Sequence, residues 1–191
     1  MLIKLFTHFL CVIFSPIKFL INFRRKILKK KILKGYFNSQ SPAYFYALKE
    51  LAWNKYHEPD FVLTEKLAQN LINNTKDKNE FPGKNNILAN GYTLLGLLAL
   101  TTSTSKAKHY LLKTASLMLF PKTKDLVLAQ KLLNIGEYDT VQNFIKRYIK
   151  NIKSYDFPKF TRKHIASHIK QLEKYNTEIK QRKKPQLIIK N

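Results

Sequence analysis

Apolar residues recur at helical spacing along most of the chain, and from residue 43 to residue 152 they group into three consecutive pairs of amphipathic segments. In the first pair, residues 43–56 carry Leu48, Leu51, Ala52 and Trp53 on one stripe. They face Leu63, Leu67, Ala68, Leu71 and Ile72 of residues 61–72, with Ser41 and Asp60 as caps. The second pair begins with residues 87–102, apolar nearly all round through Leu94, Leu95, Leu97, Leu98 and Leu100. A helix without a polar face must be covered on both sides, so this segment belongs in the middle of a stack. Its partner, residues 106–119, repeats Ala107, Tyr110, Leu111, Ala115 and Met118 after a capping Thr104 or Ser105. The third pair is residues 126–135 and 139–152. Gly136 stands where a left-handed residue ends a helix, and Val141, Phe144, Ile145, Tyr148 and Ile152 form the stripe that follows.

The prolines share this organisation. Pro42, Pro82, Pro121 and Pro158 are separated by 40, 39 and 37 residues, and each interval holds two helical patterns. A proline cannot continue the helix before it, and a period of this length with two helices per unit marks an α-solenoid. Residues 160–184 add a last, strongly basic helix with Thr161 as its cap and a narrow stripe of Ile165, Ile169, Leu172 and Ile179. Such a helix closes the open end of a stack, and the chain after Pro185 is expected to fray. The predicted fold is all-α: a short α-solenoid of about three antiparallel helix pairs, preceded by an N-terminal hydrophobic helix and closed by a basic C-terminal helix. The corresponding regions are residues 1–34, 42–157 and 158–191, with residues 73–86 as a polar connector.

Tyr92, Leu95-Gly96, Ala99, Ala107, Leu111, Ala115 and Pro121 together resemble one copy of the tetratricopeptide repeat. Leu128-Ala129, Leu132, the Gly136-Glu137-Tyr138-Asp139 turn, Val141, Ile145 and Tyr148 resemble a second, whereas the first pair shares only Leu51-Ala52 and Ala68 with the pattern. The resemblance implies that a protein or peptide partner binds the concave face built by the first helix of each pair. Asn90, Thr93, Leu97, Gln130, Leu133 and Asn134 would lie there, the amides bonding an extended backbone and the leucines offering apolar pockets. The competing reading of Leu97 and Leu133 is packing between units.

Charge changes this picture at both ends. The net charge is +23, yet residues 35–100 carry six basic and six acidic groups. Residues 1–34 carry nine basic groups and no acid, residues 101–157 ten against four, and residues 158–191 ten against two. Basic ends around a neutral centre point to an anionic surface, either membrane or nucleic acid. Residues 5–23 form a 19-residue apolar window whose only formal charge is Lys18. As a helix it would span about 28 Å, enough for a hydrocarbon core. Arg24, Arg25, Lys26, Lys29, Lys30 and Lys31 follow at once, so a spanning segment would leave the rest of the chain cytoplasmic, with these cations against anionic lipid. A cleaved signal peptide fits poorly, because no small-x-small site is present. Two other placements of the start remain open: an amphipathic helix over residues 19–34 lying in the interface, or apolar packing on the stack.

A search for reactive groups returns little. His164 and His168 share a helix face, but no cysteine or carboxylate is spaced to complete a zinc site. Cys11 is the only cysteine, which excludes an internal disulfide framework. No nucleophile elbow, phosphate loop or dinucleotide fingerprint occurs, and twelve scattered acids suggest no pair tuned for acid–base work. The expectation is a non-enzymatic, membrane-anchored scaffold without cofactor or metal. The alternative is a nucleic-acid- or ribosome-associated protein that binds through residues 158–191.

Overall fold

The computed structural model describes residues 23, 26–27, 29–33, 42–76, 81, 83–117 and 126–188. The apolar window at residues 5–23 lies outside them apart from Phe23, as do Arg24, Arg25, Met118, Pro82 and Pro121. Among the described residues the fold is all helix, and no helix is long and apolar enough to cross a membrane.

The first pair is α1 (Pro42–His57) and α2 (Phe61–Lys76), the second α3 (Lys84–Ala99) and α4 (Thr104–Ala115), and the third α5 (Val127–Asn134) and α6 (Tyr138–Lys153). A 3₁₀ turn (Lys159–Thr161) leads into α7 (Arg162–Lys180). Local signals explain most boundaries. Pro42 opens α1, where a missing N–H costs nothing. Asp60 Oδ1 accepts from the Leu63 amide at 3.1 Å and starts α2. The cap of α4 is Ser103, one residue before the expected pair, its hydroxyl accepting from the Lys106 amide at 3.3 Å. Thr161 does not cap α7 with its side chain, because its hydroxyl donates to the Pro158 carbonyl instead. Gly136 has φ 92°, and the Glu137 amide behind it reaches the Leu132 carbonyl at 3.0 Å, which ends α5.

Each helix packs on the next one in sequence, and α1 also meets α3, α3 meets α5, and α4 meets α6. Among the described helices, none packs on one more than two places away in the chain. The apolar α3 lies where its lack of a polar face requires. Ile87, Leu88, Leu94 and Leu95 belong to a core shared with α1 and α2, whereas Ala89 and Leu97 belong to a second core running through α4 to α7. Ten of its residues are buried, so both cores close on this one helix. Gly96 lets α5 approach it: a Cβ there would come within 2.3 Å of a Leu128 methyl.

The end of the chain departs from expectation. Residues 185–188 do not fray. Arg182 takes a left-handed φ of 59°, with the Lys183 amide bonding the Glu178 carbonyl, and this turns the chain sharply back. The turn is rare for a residue with a side chain, and Arg182 is held by its guanidinium, 5.1 Å from the Tyr138 ring centroid and 3.8 Å from Asp139. Beyond it, Leu187 is 4% exposed and joins the second core.

Candidate functional site

The groove with the best claim to function lies between α1 and α5. It measures about 590 Å³ and is lined by Lys49, Glu50, Trp53, Asn54, Tyr56 and His57 of α1 and by Val127 and Lys131 of α5. These α1 residues recur at helical spacing on one face, so a single helix supplies one whole wall. Trp53 and His57, four apart, stack with ring centroids 5.9 Å apart, and Tyr56 meets both edge-on. The wall is rigid because the Trp53 indole N–H donates to Asn90 Oδ1 of α3 at 2.7 Å. A second cleft of about 570 Å³, between the α1–α2 corner and the end of α3, shares Tyr56 and Lys131 with the first. At its rim Phe61 is 49% exposed and Val62 84%. A cluster of exposed apolar groups beside an aromatic groove is what a protein-binding surface offers. Cations stand at its margins: Lys49, Lys131 and, in the second cleft, Lys106.

Four of the six residues expected to face a partner are buried instead. Asn90 is consumed at both ends, since its Nδ2 also donates to the Asn86 carbonyl at 2.8 Å. The Thr93 hydroxyl donates to the Ala89 carbonyl at 2.9 Å. Leu97 and Leu133 pack in the second core. The physical reason is that α3 is covered on all sides, so its few polar side chains must turn back onto their own helix. Gln130 and Asn134 do reach the surface side of α5, where Gln130 Nε2 donates to Asn134 Oδ1 at 3.0 Å. They share one face of α5 with Val127 and Lys131, at spacings of three, four and seven residues. That face therefore looks toward α1 along one edge and toward the C-terminal segment along the other.

Of the cations expected to meet anionic lipid, Lys26, Lys30 and Lys31 are exposed. Lys29 pairs with Glu50 at 3.0 Å, which docks the helical residues 29–33 beside the groove, with Ile32 buried against the first core. In the C-terminal half every described acid is ion-paired: Glu137 with Lys108, Asp139 with Arg182, Asp156 with Arg162, Glu173 with Lys153 and Glu178 with Lys174. Among the described residues, lysine and arginine thus outnumber the acids on the outer faces of α6 and α7.

His164 and His168 do not act together. His168 is buried and bonds the Tyr148 hydroxyl at 3.0 Å, whereas His164 is exposed. Burial, and then the neighbouring His164, lower the His168 pKa. Among the described residues no group of three or more His, Cys, Asp or Glu is placed to hold a metal. The chain matches no family model, no curated protein and no solved structure.

The aromatic wall was hidden in the sequence because Trp53 fits the core stripe of α1 equally well. The signal was the run Trp53, Tyr56, His57, Phe61, Val62 across one helix end and the next start, too dense in large rings for a corner that only turns.

Proposed function

We propose that this chain is a membrane-attached helical-repeat scaffold whose stacked pairs form a short solenoid similar to tetratricopeptide repeats, and that it binds a protein segment in the groove between α1 and α5. The observation that carries the reading is the aromatic groove itself, with the exposed Phe61 and Val62 beside it. Helices that pack only on near neighbours in sequence support the solenoid. The fitting partner is an apolar-faced helix or peptide with acidic flanks, seated on Trp53 and Tyr56 and steered by Lys49, Lys106 and Lys131. Attachment is supported by the apolar residues 5–23 and by the basic collar of Arg24, Arg25, Lys26, Lys30 and Lys31 behind them.

Two measurements test the halves separately. The full chain is expected to sediment with membranes through salt and carbonate washes, and deletion of residues 1–23 is expected to release it. Recovery of the full chain in the soluble fraction would remove the attachment. A photo-crosslinker at His57 is expected to give a discrete adduct that Lys131→Glu abolishes. The same adduct from a crosslinker at Gln69 of α2 would remove the groove.

A second reading rests on the excess of cations on α6 and α7, which suits a polyanion such as RNA. It predicts retention on nucleic acid that falls steeply with salt and vanishes when Lys146, Lys150, Lys163 and Lys170 are changed to Glu.

A further inference from the structure

Helices α5 and α7 both pack on α6 but not on each other, which leaves a slot between them. The chain's own residues 183–188 fill it. After the left-handed Arg182, Pro185 keeps this segment out of helical geometry, and it passes both walls as irregular chain that turns tightly at Leu187, where the Ile188 amide donates to the Gln186 carbonyl at 3.0 Å. The α5 wall holds it in two places. Gln130 Oε1 accepts from the Leu187 amide at 2.7 Å, and the Lys184 ammonium donates at 2.8 Å to the Asn134 carbonyl, at the exposed C-terminal end of that helix. The α7 wall holds the Ile188 carbonyl, which accepts from the Tyr175 hydroxyl at 2.7 Å and from the Gln171 amide. Between these polar anchors the Leu187 side chain enters the second core.

This is the chemistry of peptide recognition. A side-chain amide reads a non-helical backbone, a carbonyl at a helix end takes a cation, and an apolar socket takes a leucine three residues later. Every one of these contacts is made to six residues at the end of a helix, tied to the rest by one turn. We propose that the slot between α5 and α7 is a peptide-binding site and that the C-terminal segment is its resident ligand, displaced by a partner segment of the same type: non-helical, able to turn at its leucine, with a lysine or arginine three positions before that leucine and a proline between them. The proposal stands apart from membrane attachment and from the aromatic groove, since it uses the opposite edge of α5.

The test uses the full-length chain in mild detergent, a Leu187→Asp variant that empties the socket, and a fluorescent synthetic peptide of residues 183–191. The peptide is expected to bind the variant saturably and at least tenfold more tightly than the wild-type chain, whose slot is filled. Adding Gln130→Ala to the variant is expected to weaken that binding at least fivefold, and a peptide carrying Asp in place of its leucine is expected not to bind. Equal binding to both chains, or none to a variant that keeps its helical circular dichroism, overturns the proposal. If Leu187→Asp prevents folding, the wild-type chain answers alone. Excess unlabelled peptide must then accelerate hydrogen exchange at the Leu187 and Ile188 amides, and unchanged exchange overturns the proposal. Concentration-dependent dimers that need Leu187 would place the segment in a second copy and overturn it equally.

Discussion

One face of α5 serves two unlike neighbours. Toward α1 it borders an open groove walled by rings, and toward α7 it borders a slot that the chain has filled with itself. Each space lies between two helices that pack on a common third, α1 and α5 on α3, α5 and α7 on α6. What differs is the local supply of a cover. Among the described residues, segment 29–33 docks beside the α1 edge through Lys29 and Glu50 but does not line the groove, whose apolar surface is aromatic and stiffened from beneath by the bond to Asn90. The α7 edge has a continuing chain, and its surface is built instead from amides and a helix end that grip a backbone. The lesson is that half-buried rings and half-buried amides here mark the same architectural role, distinguished by whether the occupant comes from outside.

The strongest blow to the open end is Trp53→Ala. It removes most of one wall and strands the buried Asn90 oxygen, so the urea midpoint should fall by an amount worth about 3 kcal/mol, with crosslinking at His57 lost as well. At the filled end Leu187→Asp should cost about 2 kcal/mol, limited by the undocking of one leucine, and should expose the segment to limited proteolysis without disturbing α1 or α2. Equal protease sensitivity of wild type and variant would show that the two ends are not different after all.

Acid should separate the ends further. His168 is held below its ordinary value of 6.5, so the unfolded chain binds a proton that the folded chain resists. Its contribution is complete above that value and is lost as the pH falls below it. The groups that face it are Tyr148 of α6 and His164 on its own helix, and neither offers a negative charge to offset the proton. Between neutral and mildly acid pH, hydrogen exchange should rise first in α6 and α7. His168→Gln should flatten that response while keeping a bond to Tyr148. The smallest effect belongs to Lys131→Glu. This exposed change should leave the folding stability within about 0.5 kcal/mol of wild type yet abolish the crosslink to an acidic partner in the groove.

Much of this arrangement was legible in the residues. The stripe Val141, Phe144, Ile145, Tyr148, Ile152 is buried throughout, and Gly136 makes the left-handed turn its position requires, because periodicity and backbone freedom are local properties. The apolar segment around Leu94–Leu98 is also central, since amphipathicity reports how many sides a helix must hide. Side-chain direction was less legible. Asn90 and Thr93 look like surface groups in a list of residue types, and only the packing of other helices around α3 buries them. The tail was missed for a related reason. A short run after a proline that follows a basic helix resembles loose chain, and nothing local announces that Gln130, 57 residues earlier, waits to bond Leu187.

The membership of α3 in both cores has a consequence for any attempt to dissect the chain. Severing the protein anywhere in residues 84–99 would leave each fragment with a greasy flank and no lid, so neither half should hold shape alone. Heat should accordingly be absorbed in one event, and an occupant seated beside Trp53 should slow the melting of helices that it never touches.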